Sequence, residues 1–154
     1  MTEWLARYVE LAEFLAGWSK DGSCRVGAVI YDPQTRAVLA MGYNGFPRGV
    51  NEDVPGRHER PMKHKFTEHA ERNAIFHAAL HGLCTRGMGM ALPFYPCVDC
   101  ARAIIQCGIR EIACIEPDFN DPRWGEDFKL TETMITEAGV RVVYLVRVVA
   151  AECC

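Results

Sequence analysis

No apolar run in this sequence is long enough to span a bilayer. The longest uncharged stretches, such as "NAIFHAALHGLCT" at 73–85, fall well short of the roughly 18 residues a spanning helix needs. No basic leader precedes an apolar segment either: the opening "MTEWLARYVELAEFLAGWSKDG" carries Glu3, Arg7, Glu10 and Glu13 among its apolar residues, which is not a signal peptide. Charge of one sign is not in excess. With 17 Lys and Arg against 20 Asp and Glu, the net charge of -3 supplies no large basic field, which weighs against a nucleic-acid partner. There is no internal repeat, no low-complexity tract and no sign of a second domain. A chain of 154 residues buries about 70% of the surface its unfolded form exposes, so its core needs no covalent staples. The chain reads as cytoplasmic, with no membrane partner. There its eight cysteines (Cys24, Cys84, Cys97, Cys100, Cys107, Cys114, Cys153 and Cys154) stay reduced, as small buried residues or metal ligands rather than disulfides.

Periodicity supplies the elements. Trp4, Tyr8, Leu11, Leu15 and Trp18 recur at helical spacing, predicting an amphipathic helix over about 3–18 that "SKDG" ends. "RVGAVIYD" and "AVLAMGYN", separated by "PQTR", predict an antiparallel hairpin. Residues 45–67, with three prolines, three glycines and many charges, read as a long surface loop of the kind that often carries function. A helix over about 68–81 closed by Gly82, a buried strand in "GMGMALPFY", a helix in "CVDCARAIIQCG", a strand in "IREIACIE", a helix in "DFKLTETMITEAG" and a strand in "VRVVYLVRVV" follow. Helices and strands alternate after residue 68, so the later strands should run parallel with right-handed crossovers in a five-stranded α/β layered domain.

The chemistry concentrates in two places. "FYPCVDC" puts Cys97 and Cys100 at a strand-to-helix junction, where three readings are open: a core pair, a redox pair at a helix N-terminus, or half a zinc site needing a nitrogen or sulfur ligand from elsewhere. His69, in "FTEHAERNAIF", also stands at a helix start, so two helix N-termini can converge on one ion. A lone histidine is usually a surface side chain, and a lone Glu71 is explained by the helix dipole. Together, His69, Glu71, Pro96, Cys97 and Cys100 match the histidine-x-glutamate and proline-cysteine-x-x-cysteine signature of zinc-dependent base deaminases. Two thiolates and a neutral imidazole balance the ion's charge and leave a fourth tetrahedral position open for water, the pattern of a catalytic rather than a closed site. Glu71, near His69 but not needed as a ligand, is placed to shuttle protons. His77 and His81 continue an i, i+4 stripe from His69 and Asn73 but have no cysteine or acidic partner, so they read as surface or helix-end residues. Cys107 and Cys114 fit core positions; Cys153 and Cys154 have no assignable role.

With these residues in hand, the chain resembles the cytidine and deoxycytidylate deaminase superfamily, in its deoxycytidylate deaminase branch. The resemblance runs from about Ser19 to Val143, through "SKDGSCRVGAVI", "GYNGFP", "HAERNAI", "PCVDCARAIIQCGI" and "EAGV". The zinc motif marks the superfamily, and "GYNGFP" followed by "HAERNAI" points to the branch. The resemblance implies a three-layer α-β-α fold, a five-stranded mixed sheet with helices on both faces, forming a single zinc-dependent deaminase domain over residues 1–154. It implies one catalytic zinc per chain on His69, Cys97 and Cys100, with Glu71 as proton shuttle. The implied reaction is dCMP plus water to dUMP plus ammonia, in a homo-oligomer (dimer or hexamer), some family members being activated by dCTP and inhibited by dTTP. By the same resemblance Asn44 hydrogen-bonds the sugar or base edge, although local chemistry supports a turn residue equally well. Ala70 leaves its backbone N–H open to the base, and Tyr95 forms either a pocket wall or core.

Substrate identity is the open point. "LPFY" before the zinc cysteines departs from the family pattern, and Pro93 there reshapes the pocket rim. Arg25, Arg48, Arg57, His58, Arg60, Lys63, Lys65 and Arg72 are candidates for a 5′-phosphate, against the ordinary alternative of a solvated charged face. Trp124 is either a cover for the site or a structural anchor. Two alternatives stand beside dCMP: the same chemistry on another aminated base or nucleoside (cytosine, cytidine, a guanine-type ring or a tRNA adenosine), and a non-catalytic zinc-stapled interaction domain, which needs a fourth protein ligand.

Overall fold

A computed structural model describes residues 2–146. Helix α1 (Thr2–Ala16) leads into the hairpin β1 (Gly27–Tyr31) and β2 (Val38–Tyr43); a one-turn helix α2 (Lys63–Phe66) precedes α3 (Ala70–Leu80). Then β3 (Gly89–Leu92), α4 (Val98–Gln106), β4 (Glu111–Ile115), α5 (Gly125–Glu137) and β5 (Arg141–Leu145) alternate. The strands form one sheet in the order β2-β1-β3-β4-β5. β1 pairs antiparallel with both β2 and β3, whereas β3, β4 and β5 run parallel, so the expected mixed sheet and parallel second half are both present.

Each strand divides its side chains between two cores, as the period-2 pleat requires. Ala28, Ile30, Met90, Leu92, Ile112 and Cys114 point to α3, α4 and α5; Val29, Tyr31, Ala91 and Ala113 point to α1, against Leu5, Tyr8, Val9, Ala12 and Leu15. Burial on both faces explains why the strands read as unbroken apolar runs. Glycines set the closest approaches. A Cβ on Gly27 would lie 2.0 Å from Ala12 O on the α1 side, and one on Gly42 would lie 2.4 Å from Ala74 N and 2.5 Å from Ala70 O on the α3 side. The amino-terminal end of α3 is thereby pressed onto the carboxyl end of β2.

Three expectations change. The first helix stops at Ala16, and Trp18 stands past it in a turn, 54% exposed rather than on the buried stripe. Arg25 precedes β1 by two residues rather than lying on it. The segment 45–67 is not a bare loop: it contains α2 and packs around Phe46, which stacks on His58 at 4.7 Å and Phe66 at 5.6 Å. The end of the expected last strand, 147–149, and Cys153 and Cys154 lie outside the described residues. Among the described residues, no helix is long and apolar enough to cross a membrane.

Candidate active site

The carboxyl ends of β2 and β3 and the amino end of β1 share one edge of the sheet, and the helices that follow β2 and β3 begin there. His69 is the N-cap residue of α3 and Cys97 that of α4, both extended (φ -76, ψ 154 and φ -71, ψ 167), and neither side chain is spent on capping its helix. Those side chains are therefore available to meet between the two helices. Cys100, one turn into α4, lies on the same side as Cys97 and is fully buried.

His69 Nδ1 lies 3.5 Å from Cys97 Sγ and 3.5 Å from Cys100 Sγ, and the three donor atoms all lie within 4.8 Å of one another. Ligand bonds of about 2.0 Å to nitrogen and 2.3 Å to sulfur, at tetrahedral angles, put such atoms about 3.5 Å apart. The donor set and its spacing thus fit a zinc ion with one position left over. The thiols are unequal: a hydrogen bond from Cys100, with His69 assisting, holds Cys97 down to about 4, while the same bond and burial push Cys100 up. His69 is raised by its bond to Cys97. Cys97 is thus ready as a thiolate, whereas Cys100 must shed a proton to become a ligand.

Glu71 follows in the first turn of α3, where the dipole favours an anion, but it is buried. Desolvation raises its pKa, against the pull of its own backbone N–H, the charge of His69 and a hydrogen bond with Cys100. A carboxyl kept from water beside a cysteine-histidine cluster can hold a proton and release it locally. Ala70, between His69 and Glu71, has no exposed surface.

Glu68, Gly45 and Asp21, which the sequence did not single out, fix this geometry. Glu68 Oε1 accepts from the His69 N–H at 3.0 Å and from Arg72 Nε at 2.5 Å, so Arg72 is engaged in an ion pair. Gly45 and Glu68 exchange both backbone hydrogen bonds, 3.0 and 2.8 Å, which ties "GYNG" to the residue before His69. Asp21 receives N–H bonds from Ser23 and Cys24 and the Lys63 ammonium at 2.6 Å. An acidic residue five positions after the helix end at Ala16 carries no sequence signal of that kind, since Lys63 comes from 42 residues away.

The remaining candidates fall in different places. Asn44 is buried, and its amide is committed: Oδ1 accepts from Val26 N at 2.8 Å and Nδ2 donates to Cys24 O at 2.9 Å. It braces the entrance to β1. Tyr95 joins the core, edge-on to Phe119 and Phe128. Arg25 is exposed with Nε on Asp21 O, and Trp124, 41% exposed at the start of α5, carries Arg123 over its ring. Arg57 lies over the Phe66 ring and donates to Asn51 O. Beyond the Gly45–Glu68 bridge opens a cleft of about 280 Å³ lined by Trp18, Lys20, Asn44, Phe46, Arg48 and Thr67, among others.

Comparison with known proteins places this geometry. Residues 2–116 match the family model of the cytidine and deoxycytidylate deaminase zinc-binding region. An uncharacterised deaminase of the luxG 3′ region of Aliivibrio fischeri is 38% identical over 147 residues, covering 94% of this chain and 95% of that one. Human deoxycytidylate deaminase is 33% identical over 124 residues, 77% of this chain and 68% of the human protein. In structure, the dCMP deaminase of cyanophage S-TIM5 in complex with dCMP and dUMP superposes with a TM-score of 0.75 at 24% identity, over 94% of this chain and 98% of that one.

Proposed function

We propose, on the premise that this chain belongs to the cytidine and deoxycytidylate deaminase family, that it hydrolyses dCMP to dUMP and ammonia, its residues 1–154 acting as one deaminase domain. The observation that carries the reading is the cluster of His69, Cys97 and Cys100 with the buried Glu71 beside it. His69, Cys97 and Cys100 would hold one zinc per chain. Bound there, zinc supplies Lewis acidity that makes water a nucleophile at neutral pH.

The chain's own groups then manage protons and position. Glu71 takes a proton from the attacking water, delivers it to ring N3, and returns a second one to the amine that leaves C4. Its separation from bulk water keeps those protons local. Ala70, at the first position of α3, is fully buried and packs the start of the helix against β2 rather than meeting the base. Glu68 and Arg72 hold the His69 backbone in register, and Asn44 shapes the approach by fixing residues 24–26. The nucleotide's phosphate falls to a cation on the loop side; Lys63 and Arg72 are already paired with Asp21 and Glu68, and Arg48, which lines the cleft, and Arg25 are the candidates.

Self-association completes the reading. Phe14, Trp18 and Tyr43 form a ladder of ring contacts at 6.1 and 6.0 Å and are 66%, 54% and 40% exposed, an apolar surface that a second copy of the chain would cover. The direct test is ammonia release from dCMP, deoxycytidine, cytidine and cytosine by the purified protein. Turnover of dCMP well above the unphosphorylated compounds is expected; turnover of only an unphosphorylated compound would remove the dCMP assignment.

A further inference from the structure

We infer that His77 and His81 form a second metal-binding site, a surface chelate for Cu²⁺, Ni²⁺ or Zn²⁺ on the far end of α3 from the thiolate cluster. The two residues stand one helical turn apart on one face, and their ring centroids are 5.6 Å apart. Two imidazoles bound to one ion through nitrogen at about 2.0–2.1 Å have centroids roughly 5 Å apart, so small side-chain rotations close the chelate.

The decisive feature is the hydrogen bond that His77 already makes. Its Nδ1 lies 2.8 Å from Met41 O on β2. A carbonyl only accepts, so Nδ1 carries the hydrogen and Nε2 keeps its lone pair on the opposite side of the ring. Fixing one ring nitrogen on a carbonyl is how metal-ligating histidines are commonly held in tautomer and orientation. His81, exposed at the C-cap of α3, lies where the last unsatisfied carbonyls favour positive charge. Among the described residues, no cluster of three or more ligands includes this pair, so water completes the coordination and the site is an open, two-nitrogen one.

Such a site has a defined selectivity. Imidazole suits copper, nickel and zinc, with copper tightest, whereas magnesium and calcium prefer oxygen donors. The i, i+4 spacing exists only while α3 is helical, so an ion that bridges the pair stabilises the folded chain. Because His77 also holds the edge strand β2, the ion reinforces the packing of α3 on β2.

The test uses the full chain loaded with zinc and then titrated with Cu²⁺, following nitrogen hyperfine structure in the electron paramagnetic resonance spectrum, zinc retention by elemental analysis, and Tm. One added copper with nitrogen coupling, retained zinc and a raised Tm are expected. His81→Ala, an exposed change, should weaken copper binding by about tenfold or more and remove the Tm shift. An unchanged titration in His81→Ala would overturn the site. So would copper that enters only as zinc leaves, marked by sulfur-to-copper absorption, or an equal Tm shift with Mg²⁺.

Discussion

Lys63 Nζ donates to Asp21 Oδ1 at 2.6 Å, both side chains largely buried, and so joins the helical turn just before the histidine-cysteine cluster to the segment that follows α1. Removing one partner of a shielded pair costs more than the pair contributes, because the other charge is stranded. Lys63→Met should therefore lower unfolding free energy by about 1–3 kcal/mol in urea at neutral pH. A midpoint equal to that of the wild type would show that the bridge does not hold the loop.

The same carboxylate gives the protein a pH signature. Burial raises the Asp21 pKa, but Lys63 and the N–H groups of Cys24 and Ser23 outweigh it and hold the group at about 2. A depressed carboxylate stabilises the fold above its unfolded pKa, near 4, and loses that contribution as pH falls toward 2. The full shift corresponds to about 2 kcal/mol, which solvent screening trims to about 1 kcal/mol. Wild-type stability should fall over that window more steeply than that of Asp21→Asn, and parallel curves would contradict the assignment.

Gly42 is where a methyl group should be felt in the active site. Its Cβ would lie 2.4 Å from Ala74 N, and backbone cannot rotate away. Gly42→Ala should cost about 1–3 kcal/mol and displace the helix that carries His69 and Glu71. Thermal melts and kcat should fall together; a variant with native stability and rate would mean that α3 is free to shift.

Asn44→Ala separates bracing from substrate contact. Orphaning the Val26 N–H and Cys24 carbonyl should reduce stability by about 1–3 kcal/mol. If stability stays intact and only KM for the nucleotide rises, the amide serves the substrate instead.

Much of this architecture is legible in the sequence because local signals and burial agree. The helices after residue 68 show their period and glycine stops, and the buried strands show their apolar runs. The cluster of His69, Cys97 and Cys100 is legible because these residues stand in a recognisable spacing, two of them at helix N-caps. What stays hidden is non-local. Trp18 fits the helical period yet falls beyond the helix end, where Gly17 and Ser19 turn the chain. The loop around Phe46 has no period, only contacts among Phe46, His58 and Phe66. Asn44 in "YNG" reads as turn or ligand, and only the folded chain brings Cys24 and Val26 to its amide.

The central claim is that zinc held by His69, Cys97 and Cys100 and protons moved by Glu71 deaminate dCMP. The most direct measurement is zinc content and ammonia release from dCMP, taken together on the wild type and Glu71→Gln. Stoichiometric zinc is expected in both, with turnover in the variant reduced by at least about 10²- to 10⁴-fold. A zinc-loaded Glu71→Gln protein that deaminates dCMP at the wild-type rate would contradict the account.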